Sequence, residues 1–275
     1  MATGSSPIGK LSVMTQPPVI RNKASVRLVE VFSSIQGEGI LVGLRQVFVR
    51  TFGCNLRCTY CDSPETLKES GSPPLCRVEE IPGTWRFRER PNPVSSEDLT
   101  EIVSGYLSEP HHSLSITGGE PLLHATFLAK WLPSVRSLGL KVFLETNGLL
   151  PDHLSRVLPL LDYVSMDFKA PSATGLTADQ TWERHREFLR VAREVNVYGK
   201  LVVTPSTTDI EVDSVIAILR DIDHSIPLIL QPVTPFGFEQ QGVDPTRMIA
   251  LHARASRQLQ EVRVIPQTHK LMHLL

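Results

Sequence analysis

Apolar and polar residues follow two different periods along most of this chain. Short apolar segments predict strands over residues 26–32, 46–51, 113–117, 141–146, 162–168, 199–204, 227–231 and 262–265. Longer amphipathic segments predict helices over residues 96–107, 124–137, 152–160, 178–195, 211–221 and 245–260, the first starting at a capping-box-like sequence, residues 95–98. Such a regular alternation predicts an α/β fold with a mostly parallel sheet.

Two segments depart from this alternation. Residues 1–25 carry three basic and no acidic side chains among Pro, Gly and Ser, without the apolar run of a secretory signal. We expect them to form a disordered tail, rather than an organelle transit peptide. Residues 63–95 contain six prolines and predict an irregular excursion. Residues 26–275 are expected to form a single domain that includes this excursion.

Composition excludes several classes of protein. Of the 275 residues, 28 are Lys or Arg and 29 are Asp or Glu, so the formal net charge is −1. This balance argues against broad electrostatic binding of nucleic acid or of an anionic membrane. No run of 18 apolar residues occurs, which argues against a transmembrane helix. We expect a cytoplasmic protein with neither a nucleic acid nor a membrane as partner.

Polar and glycine-containing motifs follow four of the predicted strands. In parallel α/β sheets the ligand lies beyond the carboxyl ends of the strands, so these motifs are candidates for a binding site. The four motifs cover residues 117–120, 145–148, 167–169 and 231–234. The histidines suggest no catalytic pair: His111 and His112 precede a strand and predict a solvated loop, whereas His269 could approach a substrate.

Three of the four cysteines fall within eight residues. Cys54, Cys58 and Cys61 form a C-x3-C-x2-C loop directly after a predicted strand. Three thiolates from one loop can hold three irons of a [4Fe–4S] cluster and leave the fourth iron open for a small molecule. The alternative is a zinc knuckle completed by Cys76 or a histidine, but zinc sites usually add a second ligand pair downstream. We therefore expect Cys76 to be an unliganded thiol.

This loop, with an aromatic residue before its last cysteine and a later Gly-Gly-Glu-Pro, resembles the radical S-adenosylmethionine (radical SAM) superfamily. Further segments resemble its 7-carboxy-7-deazaguanine synthase family, and the similarity covers about residues 26–270. These segments are residues 32–39, 48–50, 53–56, 61–63, 117–121, 145–148 and 266–270. The resemblance implies a partial (β/α) barrel in which a [4Fe–4S] cluster reductively cleaves S-adenosylmethionine to a 5′-deoxyadenosyl radical.

The resemblance also implies two sets of binding residues. S-adenosylmethionine is expected to contact Tyr60, Cys61, Asp62, Gly118, Gly119, Glu120, Glu145, Thr146, Ser165, Asp167 and Lys169. The pterin substrate is expected to contact Ile35, Gln36, Gly37, Arg50 and Thr117, with the Arg50 guanidinium on its carboxylate. Ser63 stands where family members often carry Thr, and its hydroxyl is expected to ligate Mg²⁺ together with the substrate.

The activity that this resemblance implies is a lyase reaction in queuosine precursor biosynthesis. It converts 6-carboxy-5,6,7,8-tetrahydropterin to 7-carboxy-7-deazaguanine and releases ammonia. An electron donor such as flavodoxin or ferredoxin and a homodimer are implied as partners. Two alternatives share the cysteine loop: an activating enzyme that generates a glycyl radical on a protein partner, and a non-enzymatic iron–sulfur sensor. The activating enzyme would not need the Gln-Gly-Glu-Gly loop at residues 36–39 followed by Arg50, and the sensor leaves the motifs at the strand ends unexplained.

Overall fold

The computed structural model describes Met1, residues 24–67 and residues 71–275. The tail predicted for residues 1–25 therefore lies outside the described residues, apart from Met1, Ala24 and Ser25. The strands are β1 Ser25–Val26, β2 Leu28–Ile35, β3 Arg45–Thr51, β4 Leu75–Glu79, β5 Phe87–Pro91, β6 Val94–Ser95, β7 Ser113–Gly118, β8 Lys141–Thr146, β9 Tyr163–Phe168, β10 Asn196–Val203, β11 Leu228–Pro232 and β12 Val262–Val264. The helices are α1 Ser96–Gly105, α2 Ala125–Ser137, α3 Pro151–Val157, α4 Pro171–Thr174, α5 Ala178–Ala192, α6 Asp209–Asp223, α7 Pro245–Ser256 and α8 Thr268–Leu271.

Ten of the strands form one sheet in the order β12-β11-β10-β9-β8-β7-β3-β2-β4-β5. Seven neighbouring strands, from β12 to β3, run parallel. β2 is antiparallel to β3, while β4 is parallel to β2 and β5 is antiparallel to β4. The predicted α/β class with a mostly parallel sheet is confirmed. The sheet does not close, because β12 and β5 are its two edges.

The major helices cover one face of this sheet, since successive members of the series α1, α2, α3, α5, α6 and α7 pack against each other. The main hydrophobic core lies between these helices and the sheet and includes the fully buried Trp131, Phe168 and Phe188. Strand side chains alternate between two faces, so every second residue points away from this core. Within the described residues, no helix is long and apolar enough to cross a membrane.

The face opposite the helices is largely polar. Near the start of the parallel strands, Phe143, Tyr198 and Ile229 form a small apolar cluster with Leu41. The other positions on this face hold polar side chains that are buried, and these include Gln46, Ser115, Ser165, Asp167, Lys200 and Gln231. Burying polar groups is costly unless they are hydrogen-bonded, so this arrangement marks the inner face of the partial barrel as a site rather than a core.

The prediction of an irregular excursion over residues 63–95 is wrong for its central part. β4 and β5 form an antiparallel hairpin that extends the sheet beyond β2, and Cys76 and Val78 bury their side chains beneath it. The prolines do not interrupt this pairing, because they lie outside the strands or, like Pro91, at the last residue of the edge strand. Ser25, which the prediction placed in the tail, pairs instead with Ser95.

The structure places Cys76 outside the cavity that the other three cysteines line, and it corrects the expectation for two histidines. Cys76 is a free thiol, 1% exposed, in the apolar core. His111 does not lie in a solvated loop: its Nε2 is 2.9 Å from Ser33 Oγ, and its ring packs edge-on against Tyr106. His112 packs against the ring of Tyr163. Burial lowers the pKa of both imidazoles, so these rings are packing elements.

Candidate active site

A cavity of about 360 Å³ opens on the inner face, at the carboxyl ends of the parallel strands. Nearly all of the residues that the sequence analysis assigned to a site line this one cavity. They are Ile35, Gln36, Gly37, Arg50, Cys54, Cys58, Tyr60, Cys61, Asp62, Ser63, Thr117, Gly118, Gly119, Glu145, Thr146, Ser165, Asp167 and Lys169, with His269 beside them. The topology explains this meeting, because the loops after parallel strands all leave from the same edge.

The three cysteines lie in the loop between β3 and a 3-10 helix at Pro64–Leu67. All three are free, partly exposed thiols. Burial raises the pKa of each thiol, so a positive group that binds here must overcome the cost of forming thiolates. Among the described residues, no three His, Cys, Asp or Glu side chains are grouped to hold a single metal ion. In a cubane each cysteine binds its own iron, so its thiolates need not surround one ion.

Gly118, the last residue of β7, and Gly119 after it let this strand end approach the cysteine loop. A Cβ atom at Gly119 would lie 2.6 Å from the carbonyl carbon of Gly53 and 2.9 Å from Cβ of Cys54. Gly118 has a φ of +128°, a conformation that favours glycine. Glu120 N donates to the Gly53 carbonyl at 2.8 Å, which joins the loops by a backbone hydrogen bond. Only residues without a side chain fit between the cysteine loop and β7.

The Glu120 side chain does not line the cavity, which corrects its assignment as a contact to S-adenosylmethionine. It is fully buried, and its carboxylate accepts hydrogen bonds from Thr146 Oγ1, Asn147 N and Leu122 N at 2.8 to 2.9 Å. Burial raises the pKa of this carboxyl, and the hydrogen bonds oppose that shift. Glu120 therefore holds the loop after β8 against the loop after β7, and Thr146 donates to it while lining the cavity.

Ion pairs link the ends of β9 and β10. Lys169 Nζ lies 2.7 Å from Asp167 Oδ2 and 3.3 Å from the Tyr60 hydroxyl, and it stands over the Tyr60 ring. Lys200 pairs with Glu38 and lies 3.5 Å from Asp167 Oδ2. Burial would raise the pKa of Asp167, but the two ammonium groups outweigh it and lower this pKa. Lys200 and its hydrogen bond likewise hold the pKa of Glu38 at about 2 against burial.

A second polar group surrounds Glu145 on β8. Gln36 Nε2 donates to Glu145 Oε1 at 3.0 Å, Ser115 Oγ donates to the same atom at 2.8 Å, and Thr117 Oγ1 donates to Oε2 at 3.3 Å. Burial and the nearby charge of Glu38 raise the pKa of this carboxyl. These donors fix the Glu145 carboxylate in the lining of the cavity.

Arg50, at the end of β3, faces the cavity from an ion pair. Its Nε donates to Glu30 Oε1 at 2.9 Å, and its Nη1 donates to Ser63 Oγ at 3.3 Å. Ser63 Oγ also donates to Asp62 Oδ1 at 3.3 Å, so the arginine, the serine and the aspartate form one chain beside the last cysteine. Burial by itself would lower the pKa of the Arg50 guanidinium, but the ion pair with Glu30 outweighs burial and raises this pKa.

The C-terminal segment closes one side of the cavity. Gln267 Nε2 donates to Glu38 Oε1 at 2.7 Å and to Asp62 Oδ2 at 3.0 Å, while Thr268 N donates to the Gly37 carbonyl at 2.9 Å. The Asp62 side chain therefore faces this segment, and Lys270 lies 3.5 Å from it. A Cβ atom at Gly37 would lie 2.6 Å from Cγ of His269, so this glycine lets the imidazole reach the cavity wall.

Five lining residues were given no role from the sequence. Glu30 and Lys200 lie in no motif that the sequence analysis singled out, whereas Glu38, Gln231 and Gln267 lie in the segments 32–39, 231–234 and 266–270 without an assigned contact. Two buried oxygens in the lining, Asp167 Oδ1 and Gln231 Oε1, have no hydrogen-bond partner within the described part of the chain. Buried polar atoms normally have partners, so these two indicate that a polar ligand completes the site. One sequence signal could have identified such a residue: a single charged side chain within an otherwise apolar strand, as Lys200 is in β10.

The chain belongs to the radical SAM superfamily, whose model matches residues 48–219. It is 44% identical over 255 residues, 91% of this chain and 98% of the relative, to a protein from Geobacter sulfurreducens named 7-carboxy-7-deazaguanine synthase. A protein of the same name from Methanothermobacter thermautotrophicus is 36% identical over 90% of this chain and 97% of its own length. Within the superfamily, these matches assign the chain to the 7-carboxy-7-deazaguanine synthase family.

The fold agrees with this assignment. The crystal structure of QueE from Escherichia coli superposes with a TM-score of 0.54 at 19% identity, covering 88% of this chain and 94% of that one. Membership of the superfamily implies a [4Fe–4S] cluster and S-adenosylmethionine. The residues present fit both groups, because three reduced thiols share the cavity with the close-packed glycines and with the unpartnered oxygens of Asp167 and Gln231.

Proposed function

We propose that the protein converts 6-carboxy-5,6,7,8-tetrahydropterin to 7-carboxy-7-deazaguanine with release of ammonia, as a radical SAM carbon–nitrogen lyase that serves queuosine precursor biosynthesis. The observation that carries this proposal is the shared cavity: three thiols of one loop and a recess of hydrogen-bonding side chains lie on its walls. A flat bicycle with one carboxylate needs donors, acceptors and a cation, and Thr117, Glu145 and Arg50 all line this cavity.

We assign the cluster to Cys54, Cys58 and Cys61. The cluster with S-adenosylmethionine supplies the carbon-centred radical that removes a hydrogen atom from the substrate. The carbonyls of Gly118 and Gly119 are assigned to the ammonium group of S-adenosylmethionine, because these backbones meet the cysteine loop without intervening side chains. The remaining contacts are assigned to Tyr60, Cys61, Asp62, Glu145, Thr146, Ser165, Asp167 and Lys169, all of which line the cavity.

The substrate side of the cavity is assigned to Ile35, Gln36, Gly37 and Thr117, with Arg50 as partner of the substrate carboxylate. The Gln36 side-chain amide contacts Gln46, Glu145 and the Glu38 backbone, and the Gln36 backbone pairs with Leu44 and Gly43, so Gln36 fixes the shape of this wall. Holding the substrate in one orientation matters because hydrogen abstraction depends on a short approach between the reacting atoms. His269 stands beside Gly37 as a further contact.

We assign a Mg²⁺ site to the hydroxyl of Ser63. The support is its position: Ser63 follows the last cysteine by two residues, lines the cavity and is hydrogen-bonded to both Arg50 and Asp62. Mg²⁺ accepts sparse protein ligation when substrate oxygens and water fill its octahedron. Serine retains the oxygen that this role requires.

The proposal includes partners and a compartment. A low-potential protein such as flavodoxin or ferredoxin is proposed as electron donor, because the cluster must be reduced in each activation. We further propose a homodimer, and a cytoplasmic location in which the three thiols stay reduced.

The decisive experiment is incubation of the anaerobically reconstituted protein with the carboxytetrahydropterin, S-adenosylmethionine, Mg²⁺ and a reductant. Mass spectrometry should detect 7-carboxy-7-deazaguanine, and an ammonia assay should detect one equivalent per product. A Cys58→Ala variant is the matched control and should form no product. Absence of any deazapurine from protein with a complete cluster would contradict the proposed reaction.

A further inference from the structure

A row of three charged side chains crosses the sheet beside the cavity. The strand register sets Arg50 of β3 opposite Glu30 of β2, and Glu30 opposite Arg77 of β4. Arg50 Nε donates to Glu30 Oε1 at 2.9 Å, and Arg77 Nη2 donates to Glu30 Oε2. Each oxygen of one buried carboxylate therefore has its own guanidinium, and the second comes from the β4–β5 hairpin.

The charges of this row do not cancel. Glu30 carries one negative charge between two permanently positive groups, so one positive charge remains in excess. The Glu30 side chain is 6% exposed and that of Arg50 is 18% exposed, so solvent screens these two charges weakly, whereas Arg77, at 54%, acts on Glu30 from the solvent side. Without Arg77, Glu30 would neutralise Arg50 and compete with any other anion for its guanidinium.

Arg50 keeps hydrogen-bond donors for a ligand. Its Nε contacts Glu30 and its Nη1 contacts Ser63, while its Nη2 has no hydrogen-bond partner within residues 24–67 and 71–275. Arg77 does not line the cavity, and its guanidinium stacks over the Phe87 ring of β5 at 4.8 Å. The hairpin thus holds Arg77 against Glu30 at a distance from any ligand.

We infer that Arg77 is a positioning residue that sets the preference of this site for a carboxylated substrate. By binding the second oxygen of Glu30, Arg77 leaves the Arg50 guanidinium with the charge that attracts the substrate carboxylate. This inference rests on the proposed function, in which Arg50 receives that carboxylate.

The experiment compares two unreactive aromatic probes, pterin-6-carboxylate and pterin, on the reconstituted protein with S-adenosylmethionine bound. Dissociation constants are measured by fluorescence titration for the parent protein, Arg77→Ala, Arg77→Lys and Arg88→Ala. Arg88 is the matched control, because it lies on the same hairpin, opposite Val78 rather than Arg77, with its side chain 57% exposed. Iron content and circular dichroism verify that each variant is folded and loaded.

We expect Arg77→Ala to reduce the preference for pterin-6-carboxylate over pterin about fivefold to tenfold. Binding of pterin should stay unchanged, Arg77→Lys should restore part of the preference, and Arg88→Ala should behave as the parent. An unchanged preference in Arg77→Ala, or an equal loss of both ligands, would overturn the inference. If the parent protein itself shows no preference, the proposed role of Arg50 fails and the inference falls with it.

Discussion

Ser63 is the side chain on which the proposed magnesium site depends. Ser63→Ala removes the hydroxyl, so we expect a several-fold weaker activation of turnover by Mg²⁺, with iron content and S-adenosylmethionine binding unchanged. Ser63→Ala also loses the hydrogen bonds of the hydroxyl to Arg50 and Asp62. Ser63→Thr keeps the hydroxyl oxygen, so this control variant should retain the activation by Mg²⁺. Steady-state rates over a Mg²⁺ titration provide the measurement. The same Mg²⁺ dependence in Ser63→Ala and the parent protein would remove Ser63 from the site.

Cys76 provides the test of which thiols hold the cluster. It lies in the apolar core, away from the cavity, so Cys76→Ala should retain about four irons per chain after anaerobic reconstitution. The small void left in the core should lower the free energy of unfolding by about 1 kcal/mol. Cys54→Ala, by contrast, should lose the cluster and its absorbance. Iron loss in Cys76→Ala without unfolding would show that the ligand set is wrong.

At this scale the sequence predicted those site residues that belong to short contiguous motifs. The cysteines, the two glycines at the end of β7 and Arg50 all stand next to a recognisable pattern. Lys200 was missed, because it is a single polar residue in an apolar strand and its face is known only from the register. Glu120 was misassigned, because its motif does not reveal that the carboxylate turns inward onto the loop after β8.

At the scale of elements, the junction between the cysteine loop and the loop after β7 limits what can stand at Gly119. Gly119→Ala places a Cβ atom 2.9 Å from Cβ of Cys54, so the loops must separate. We expect a loss of about 1–3 kcal/mol in the free energy of unfolding and a lower iron content. Gly105→Ala at the end of α1 is the control, because a Cβ atom there meets nothing within 4 Å. Urea unfolding and iron assay distinguish the two, and equal behaviour would contradict the proposed close junction.

The parallel strands and their helices were predictable because each has a long periodic pattern. The β4–β5 hairpin was not, because its strands are five residues each and β5 carries three charged residues and an exposed face. β10 begins at Asn196, three residues before the predicted start, since the sequence does not mark the boundary between α5 and the strand. Within the ten-stranded sheet, the strands that the sequence missed are thus the two short ones beyond β2, one of which supplies Arg77.

At the scale of the whole molecule, one face of the sheet forms the hydrophobic core and the other face forms the candidate site. The face toward the helices is apolar, and the opposite face carries buried polar side chains around the cavity. The alternation of elements predicts the class and the parallel sheet, but an open, curved sheet with an inner cavity follows only from resemblance. Periodicity shows that a strand is buried on both faces, and it does not show whether the second face meets a helix or a ligand.

His185 of α5 joins the helix layer to the site. Its Nε2 lies 3.1 Å from the Asn147 carbonyl and 3.4 Å from Lys169 N, and its ring packs edge-on against Phe168. Burial lowers its pKa from 6.5 to about 4. As the pH falls below 6.5, His185 therefore becomes protonated in the unfolded chain, whereas in the folded protein it stays neutral until about pH 4. The free energy of unfolding should fall as the pH drops through this window.

Between about pH 7 and about pH 5, His185 should account for a loss of about 2 kcal/mol. We expect His185→Gln to be less stable than the parent near pH 7, because a buried ring is replaced, but to lose about 2 kcal/mol less over this interval. Anaerobic urea unfolding of both proteins at the two pH values measures the difference. Other groups cancel in that comparison, including Glu38, whose pKa of about 2 moves its own contribution to lower pH. Parallel pH profiles for the two proteins would show that the buried imidazole does not couple the helix layer to acid stability.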